Sequence, residues 1–204
     1  MPRHRSEDKE RALVETATRL FLQNGVKATT IQTIAGQAGV AVGTVYTYFK
    51  DKREMVRKVA LAFAQRHHEF ARDILKSRRK PLSKLSDYML GLFDMWQPFG
   101  ENRQAAIELA DAVFRWAPET PEMAQQELQN TLEAILIQAR DAGARVQRPL
   151  EEARWIAIGT AAFFPLAGTP SRKPITGQYG REDLEGWLQW VAEKLEDQGN
   201  SAGP

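Results

Sequence analysis

Between Gly43 and Lys52 the chain reads GTVYTYFKDK, which places the hydroxyls of Thr44, Tyr46, Thr47 and Tyr48 within five residues and follows them with Lys50 and Lys52. Hydroxyls bond base edges and phosphate oxygens, and ammonium groups pair with phosphates, so this set of side chains suits a nucleic acid. Val45 and Phe49 are four residues apart. On a helix they would share one face and anchor it to a core, leaving most of the hydroxyls outward. Gly43 removes a side chain where such a helix would start against a DNA backbone. The competing reading makes Tyr46 and Tyr48 core aromatics like Phe49. The segment has no arginine, so the commonest bidentate guanine contact is missing and the base sequence it would read is not legible.

Other chemistries find little support. There are no cysteines, which excludes a disulfide framework, a thiolate metal site and a cysteine nucleophile. The histidines are His4, His67 and His68, and none follows a glutamate by three residues as a helical di-metal site would require. Neither H-E-x-x-H, a P-loop nor G-x-S-x-G occurs. We therefore expect no enzyme, no metal and no cofactor. The net charge of +2 conceals a division: residues 1–80 hold 17 Lys/Arg against 8 Asp/Glu, or +9, and residues 81–204 hold 11 against 18, or −7. A basic segment suits a polyanion, and an acidic remainder would be repelled from one.

The elements that must position these residues read as all-α. No proline falls between Pro2 and Pro81. Leu13, Ala17, Leu20 and Phe21 form a helical stripe from about Ser6 to Asn24, closed by Asn24-Gly25. Thr29 and Thr30 can each cap a second, short helix, Thr29 with Gln32 as a capping box, and Ala38-Gly39 would end it. A third helix follows from about Val42 to Tyr48, and Asp51 can cap a fourth that runs to Ser77. Two short helices joined at Gly39 fit a helix-turn-helix, whose second helix enters the major groove. Beyond Pro81 the spacing predicts helices at Leu82–Gln97, Glu101–Trp116, Glu119–Ala142, Leu150–Phe164 and Arg181–Asp197, with a loop from Gly168 to Gly180. The longest nearly apolar run, Trp155 to Gly168, is 14 residues, short of the roughly 20 a membrane span needs. The charged start MPRHRSEDKE lacks a secretory apolar stretch, so the expected location is cytoplasmic. Arg3 and Arg5 there suit either a minor-groove arm or a solvated tail.

From about Ala12 to Val56 the sequence resembles the TetR family of bacterial transcriptional regulators. The resemblance rests on LFLQNGVKATTIQTIAGQAGVAVGTVYTYFKDKREM, with its NG cap, paired threonines, I-A-x-x-A-G-V segment and G-T-x-Y-x-Y-F in order. It implies a helix-turn-helix DNA-binding domain at 1–50 and a helical ligand-binding and dimerisation domain at 51–204, working as a homodimer on a double-stranded DNA operator. It also implies a repressor released when a small molecule binds. An activator, or a DNA-binding dimer with no ligand, remains open. By position, Thr30 and Gln32 would open the supporting helix, and Gly43, Thr44, Tyr46, Thr47, Tyr48 and Lys52 would lie at the bases or phosphates. Gly36 departs from the pattern, since a better helix former is usual there.

In the C-terminal part the residues speak more softly. Phe63, Phe93, Trp96, Phe114, Trp155 and Phe163, with His67 and Tyr88 as polar members, fit either core packing or the lining of a chamber for an apolar ligand. The resemblance to ligand-sensing regulators favours the chamber. Glu108, Asp111 and Arg115 are further polar candidates. His67, on the apolar stripe between Phe63 and Phe70, also fits a satisfied core histidine. Ile156, Thr160 and Phe164, with Trp187, Trp190 and Val191, leave the last two helices with apolar groups on more than one face, as a dimer interface would.

Overall fold

The computed structural model describes residues 2–164 and 179–196, with side chains described from Glu7 onward. Among these residues there are ten α-helices and no strand, in the order α1 (Pro2–Asn24), α2 (Ile31–Gln37), α3 (Val42–Tyr48), α4 (Lys52–Lys76), α5 (Pro81–Trp96), α6 (Pro98–Glu101), α7 (Arg103–Trp116), α8 (Glu119–Asp141), α9 (Pro149–Thr160) and α10 (Arg181–Leu195). A 3-10 turn, Ala161–Phe163, continues α9. Pro81, Pro98 and Pro149 each open a helix, where the missing N–H costs nothing and the fixed φ favours the first turn. The expected all-α class holds. The expected Glu101–Trp116 helix is divided, because Asn102 accepts from Ala105 N–H at 3.1 Å and caps α7, leaving Pro98–Glu101 as a separate turn. The Gly168–Gly180 loop lies almost wholly outside the described residues, as do the side chains of Arg3 and Arg5. No described helix is long and apolar enough to cross a membrane.

The chain packs as two units, and the division falls inside α4 between Arg66 and His67 and inside α8 between Ala124 and Gln125. The first unit joins α1–α3 and the first part of α4 to α6 and α7. Its core centres on Phe21, Ile34, Val45, Phe49, Met55 and Val56, and α7 adds Leu109 and Ala112 to it. The α4 start is fixed locally: Asp51 accepts from Glu54 N–H at 2.9 Å, and Glu54 accepts from Lys50 N–H at 2.5 Å.

The second unit is built on Leu85, Tyr88, Met89, Leu132, Ile135, Leu136, Leu184 and Leu188, from α5, α8 and α10, with Ala153 and Ile156 from α9. Two glycines permit close approaches within it. A Cβ on Gly91 would strike the Phe70 ring, and one on Gly159 would come within 2.6 Å of the Trp187 indole. Lys84 is buried without an acidic partner among its described contacts. Its ammonium donates to Leu75 O at 2.9 Å and Gln138 Oε1 at 2.7 Å, which satisfies a carbonyl near the end of α4 and ties α5 to α8.

Candidate nucleic-acid interface

The turn between α2 and α3 is set by Gly39, whose φ of +67° is in the left-handed region. Val40 N–H donates to Ala35 O at 3.0 Å and Gly39 N–H to Gly36 O at 3.2 Å, the paired bonds of a Schellman motif that reverses the chain after α2. At the other end of α2 the paired threonines divide their work. Thr30 is the cap, accepting from Thr33 N–H at 3.0 Å and sharing a 2.9 Å bond with the Thr33 hydroxyl. Thr29 points inward instead, donating to Gly25 O at 2.8 Å with Leu20 O at 3.2 Å as a second acceptor. The Thr29–Gln32 capping box is thus replaced by a Thr30–Thr33 pair, since Thr29 is spent on the end of α1.

The α3 helix occupies Val42–Tyr48, the span the spacing predicts. Val45 and Phe49 are fully buried, and Tyr48 is half-buried at 6.2 Å from the Phe49 ring. The opposite face is open. Tyr46 is 52% exposed, Thr47, Gly43 and Lys50 are exposed, and Thr44 is half-buried. An exposed tyrosine beside two buried anchors favours the surface reading for Tyr46, while Tyr48 takes an intermediate place. The Thr47 hydroxyl donates back to Gly43 O at 3.1 Å and keeps lone pairs for another donor. A Cβ on Gly43 would meet nothing within 4 Å, so no internal packing demands glycine there. Thr30 and Gln32 are exposed at the opening of α2.

Lys52 does not join this face. Its ammonium donates to Val26 O at 2.8 Å, Thr29 O at 3.1 Å and Lys27 O at 3.4 Å. Three carbonyls occupy its three donors, so the expected phosphate contact is corrected to a clasp on the α1–α2 turn. No local pattern hints at this, because the carbonyls come from residues more than 20 positions earlier.

The residues expected to line a ligand chamber fall in both units. Phe63, at 5.4 Å from the Phe99 ring, and Phe114 belong to the first, and the other six belong to the second. Phe114 is 48% exposed and Trp155 58% exposed, so in the single chain neither is enclosed. Trp155 instead lies beneath the Arg148 guanidinium, 5.8 Å from its ring centre. Phe93 is buried against Phe164, ring centres 6.4 Å apart, and Trp96 and Phe163 are half-buried. His67 and Tyr88 are buried and bonded to each other, Nε2 to hydroxyl at 2.7 Å, with rings stacked at 5.9 Å. Burial pulls the His67 imidazole below its ordinary value, opposed by Glu127 and aided by His68. It pushes the Tyr88 phenol well up. These two residues satisfy one another as core groups. Glu108, for its part, belongs to the first unit, where its carboxylate meets Lys27 N–H.

Of the residues expected at a dimer interface, Ile156, Thr160 and Val191 are buried by their own chain, and Thr160 donates to Ile156 O at 2.7 Å. Phe164 and Trp187 are half-buried. Only Trp190, 55% exposed, stands free, and α9 adds Ile158 at 72%. The open face of α9 is therefore one that carries Trp155 and Ile158, a different face from Ile156 and Thr160.

Comparison with known proteins bears on this arrangement. The sequence profile described as "Bacterial regulatory proteins, tetR family" matches residues 13–59, the segment from the first helix into α4. The HTH-type transcriptional repressor KstR2 of Mycobacterium tuberculosis is 34% identical over 82 residues, which cover 40% of this chain and 41% of that one. The match thus spans about two fifths of the curated relative. Among solved structures, the TetR family transcriptional regulator PfmR from Thermus thermophilus aligns with a TM-score of 0.60 at 18% identity, over 90% of this chain and 98% of that one. SmeT, the repressor of the Stenotrophomonas maltophilia multidrug efflux pump SmeDEF, aligns with the same TM-score and identity over 96% of each chain. Sequence likeness to the profile of the tetR family of bacterial regulatory proteins is confined to residues 13–59, where the helix-turn-helix lies, and likeness of fold to solved structures extends over nearly all the rest.

Proposed function

We propose that the protein is a transcriptional repressor that reads a DNA operator with α3 as a two-fold dimer and leaves it when a small apolar molecule binds its C-terminal part. The observation that carries the DNA-reading half is the two-faced α3: Val45 and Phe49 fix it to the core, and Thr44, Tyr46, Thr47 and Gly43 lie on its outer side with Lys50 next in the chain. Side chains held on a rigid helix reach base edges at little entropic cost. In this reading the division of labour is that of residues 1–50 against 51–204. Trp155, Ile158 and Trp190 supply apolar surface that a second copy would cover, which favours dimerisation through α9 and α10. For the ligand, support comes from the likeness of residues 13–59 to the tetR family and from the abundance of aromatics after residue 90; the sequence match to KstR2 covers too little of either chain to carry over a ligand.

Selection of duplexes from a random library by the full chain tests this function. Enrichment of one pseudo-palindromic site, with half-sites about 34–36 Å apart or a related spacing, is the expected result. Recovery of no common sequence would overturn it. A panel of apolar compounds, titrated against that duplex, then tests release. Loss of DNA affinity by a factor of about 5–150 is the range expected of a coupled site.

A further inference from the structure

The turn between α1 and α2 is gripped by charged side chains of opposite sign, both from elsewhere in the chain. Lys52, at the start of α4, takes the carbonyls of Val26, Lys27 and Thr29. Glu108, in α7, accepts from Lys27 N–H at 3.3 Å. The Lys27 residue is thus held by its N–H on one side and its carbonyl on the other. Gly25 makes room for this. Its φ of +82° closes α1, and a Cβ there would come within 2.6 Å of the Glu108 carboxylate. Asn102 adds a second point of attachment, donating from Nδ2 to Gln23 O at 2.7 Å while its Oδ1 caps α7.

Leu109 and Ala112 also bind α7 to the core, but apolar contact has no direction and tolerates sliding. The hydrogen bonds of Glu108 and Asn102 select one register. We infer that Glu108, assisted by Asn102, is a positioning residue through which α7 sets the pose of α2 and α3 on DNA. The inference rests on the DNA-reading function proposed above. Its path is short: the Lys27 peptide lies two residues before Thr29, whose carbonyl Lys52 holds, and Thr30 caps α2, which the Schellman turn joins rigidly to α3. A displacement of α7 along its axis would pull the Lys27 peptide with it, and the recognition helix would follow.

The test compares Glu108→Ala, Glu108→Gln and Asn102→Asp in the full chain, using the duplex recovered by the wild-type protein and a scrambled duplex of equal length. The two Glu108 variants carry the same charge, so their difference isolates the acceptor for Lys27 N–H. Asn102→Asp keeps the cap and loses the donor to Gln23. Glu108→Ala and Asn102→Asp should each weaken the recovered duplex about tenfold relative to the scrambled one, the size of one directed hydrogen bond. Glu108→Gln should stay within about threefold of wild type. If Glu108→Ala fails to fold, Asn102→Asp decides the matter alone. Wild-type discrimination in the folded variants, or a lowered melting temperature with discrimination unchanged, would reduce the contact to simple stability and overturn the inference. Failure of the wild-type chain to enrich any duplex would instead defeat the DNA-reading function itself.

Discussion

Lys50 and Lys52 are two residues apart and have opposite fates. Lys50 is exposed at the end of α3, whereas the Lys52 ammonium is shared among three carbonyls. Lys52→Met should cost about 1–3 kcal/mol of stability, since it leaves partly buried carbonyls without a donor, and urea unfolding would measure it. Lys50→Ala should leave stability unchanged and lower the salt dependence of DNA binding by about one unit per subunit. A salt slope that answered to Lys52 and not to Lys50 would reverse this assignment. His67 makes a second prediction. Its folded value is depressed, so the unfolded chain binds the proton more readily, and the stability it lends is present above about pH 6.5 and lost as pH falls through the lower folded value. Stability measured from pH 7.5 downward should decline, and His67→Phe should remove part of that decline. The roles of Lys52 and His67 differ in legibility. The position of His67 on an apolar stripe suggests a core histidine, but its partner Tyr88 lies 21 residues on and no local pattern names it.

Among the elements, the helix-turn-helix was the most legible, because its signals are local. Gly39, the Thr30 cap and the Val45–Phe49 pair each act within four or five residues of chain. The α7 helix was read less well. Asn102 looks like one more polar helix residue until it is seen bonding both α7 and Gln23 O. Which side of α9 its own chain covers is not legible for a related reason: Ile156 and Ile158 are equally apolar, and only the packing of Ala153 and Ile156 into the second unit's core distinguishes them. Gly36 is exposed in α2 and a Cβ would meet nothing within 4 Å, so glycine serves no packing need there. Gly36→Ala should stabilise the protein by about 0.5–1 kcal/mol, read as a rise in melting temperature. A fall would show that α2 depends on the flexibility glycine gives.

For the whole molecule, charge and exposed apolar surface follow different parts of the chain. The basic excess lies in residues 1–80, and the exposed Trp155, Ile158 and Trp190 lie in the acidic remainder. Ile158→Glu combined with Trp190→Glu should yield a monomer at micromolar concentration by light scattering, without loss of fold, because both side chains already face water in the single chain. A persistent dimer would move the interface elsewhere. What the sequence could not convey at this scale was the assignment of aromatics: Phe93 is buried, Phe114 and Trp155 are open, and their spacing along the helices does not distinguish them.

On the proposed function, the outer face of α3 reads DNA. The most direct test is the affinity of Thr44→Ala and Tyr46→Ala for the duplex selected by the wild-type protein, measured at fixed salt. Tyr46 is exposed and Thr44 half-buried, so both variants should fold as the wild type does. Each should lose about 1–3 kcal/mol of specific binding while retaining affinity for unrelated duplexes. Unchanged affinity for the selected duplex in both folded variants would contradict the account.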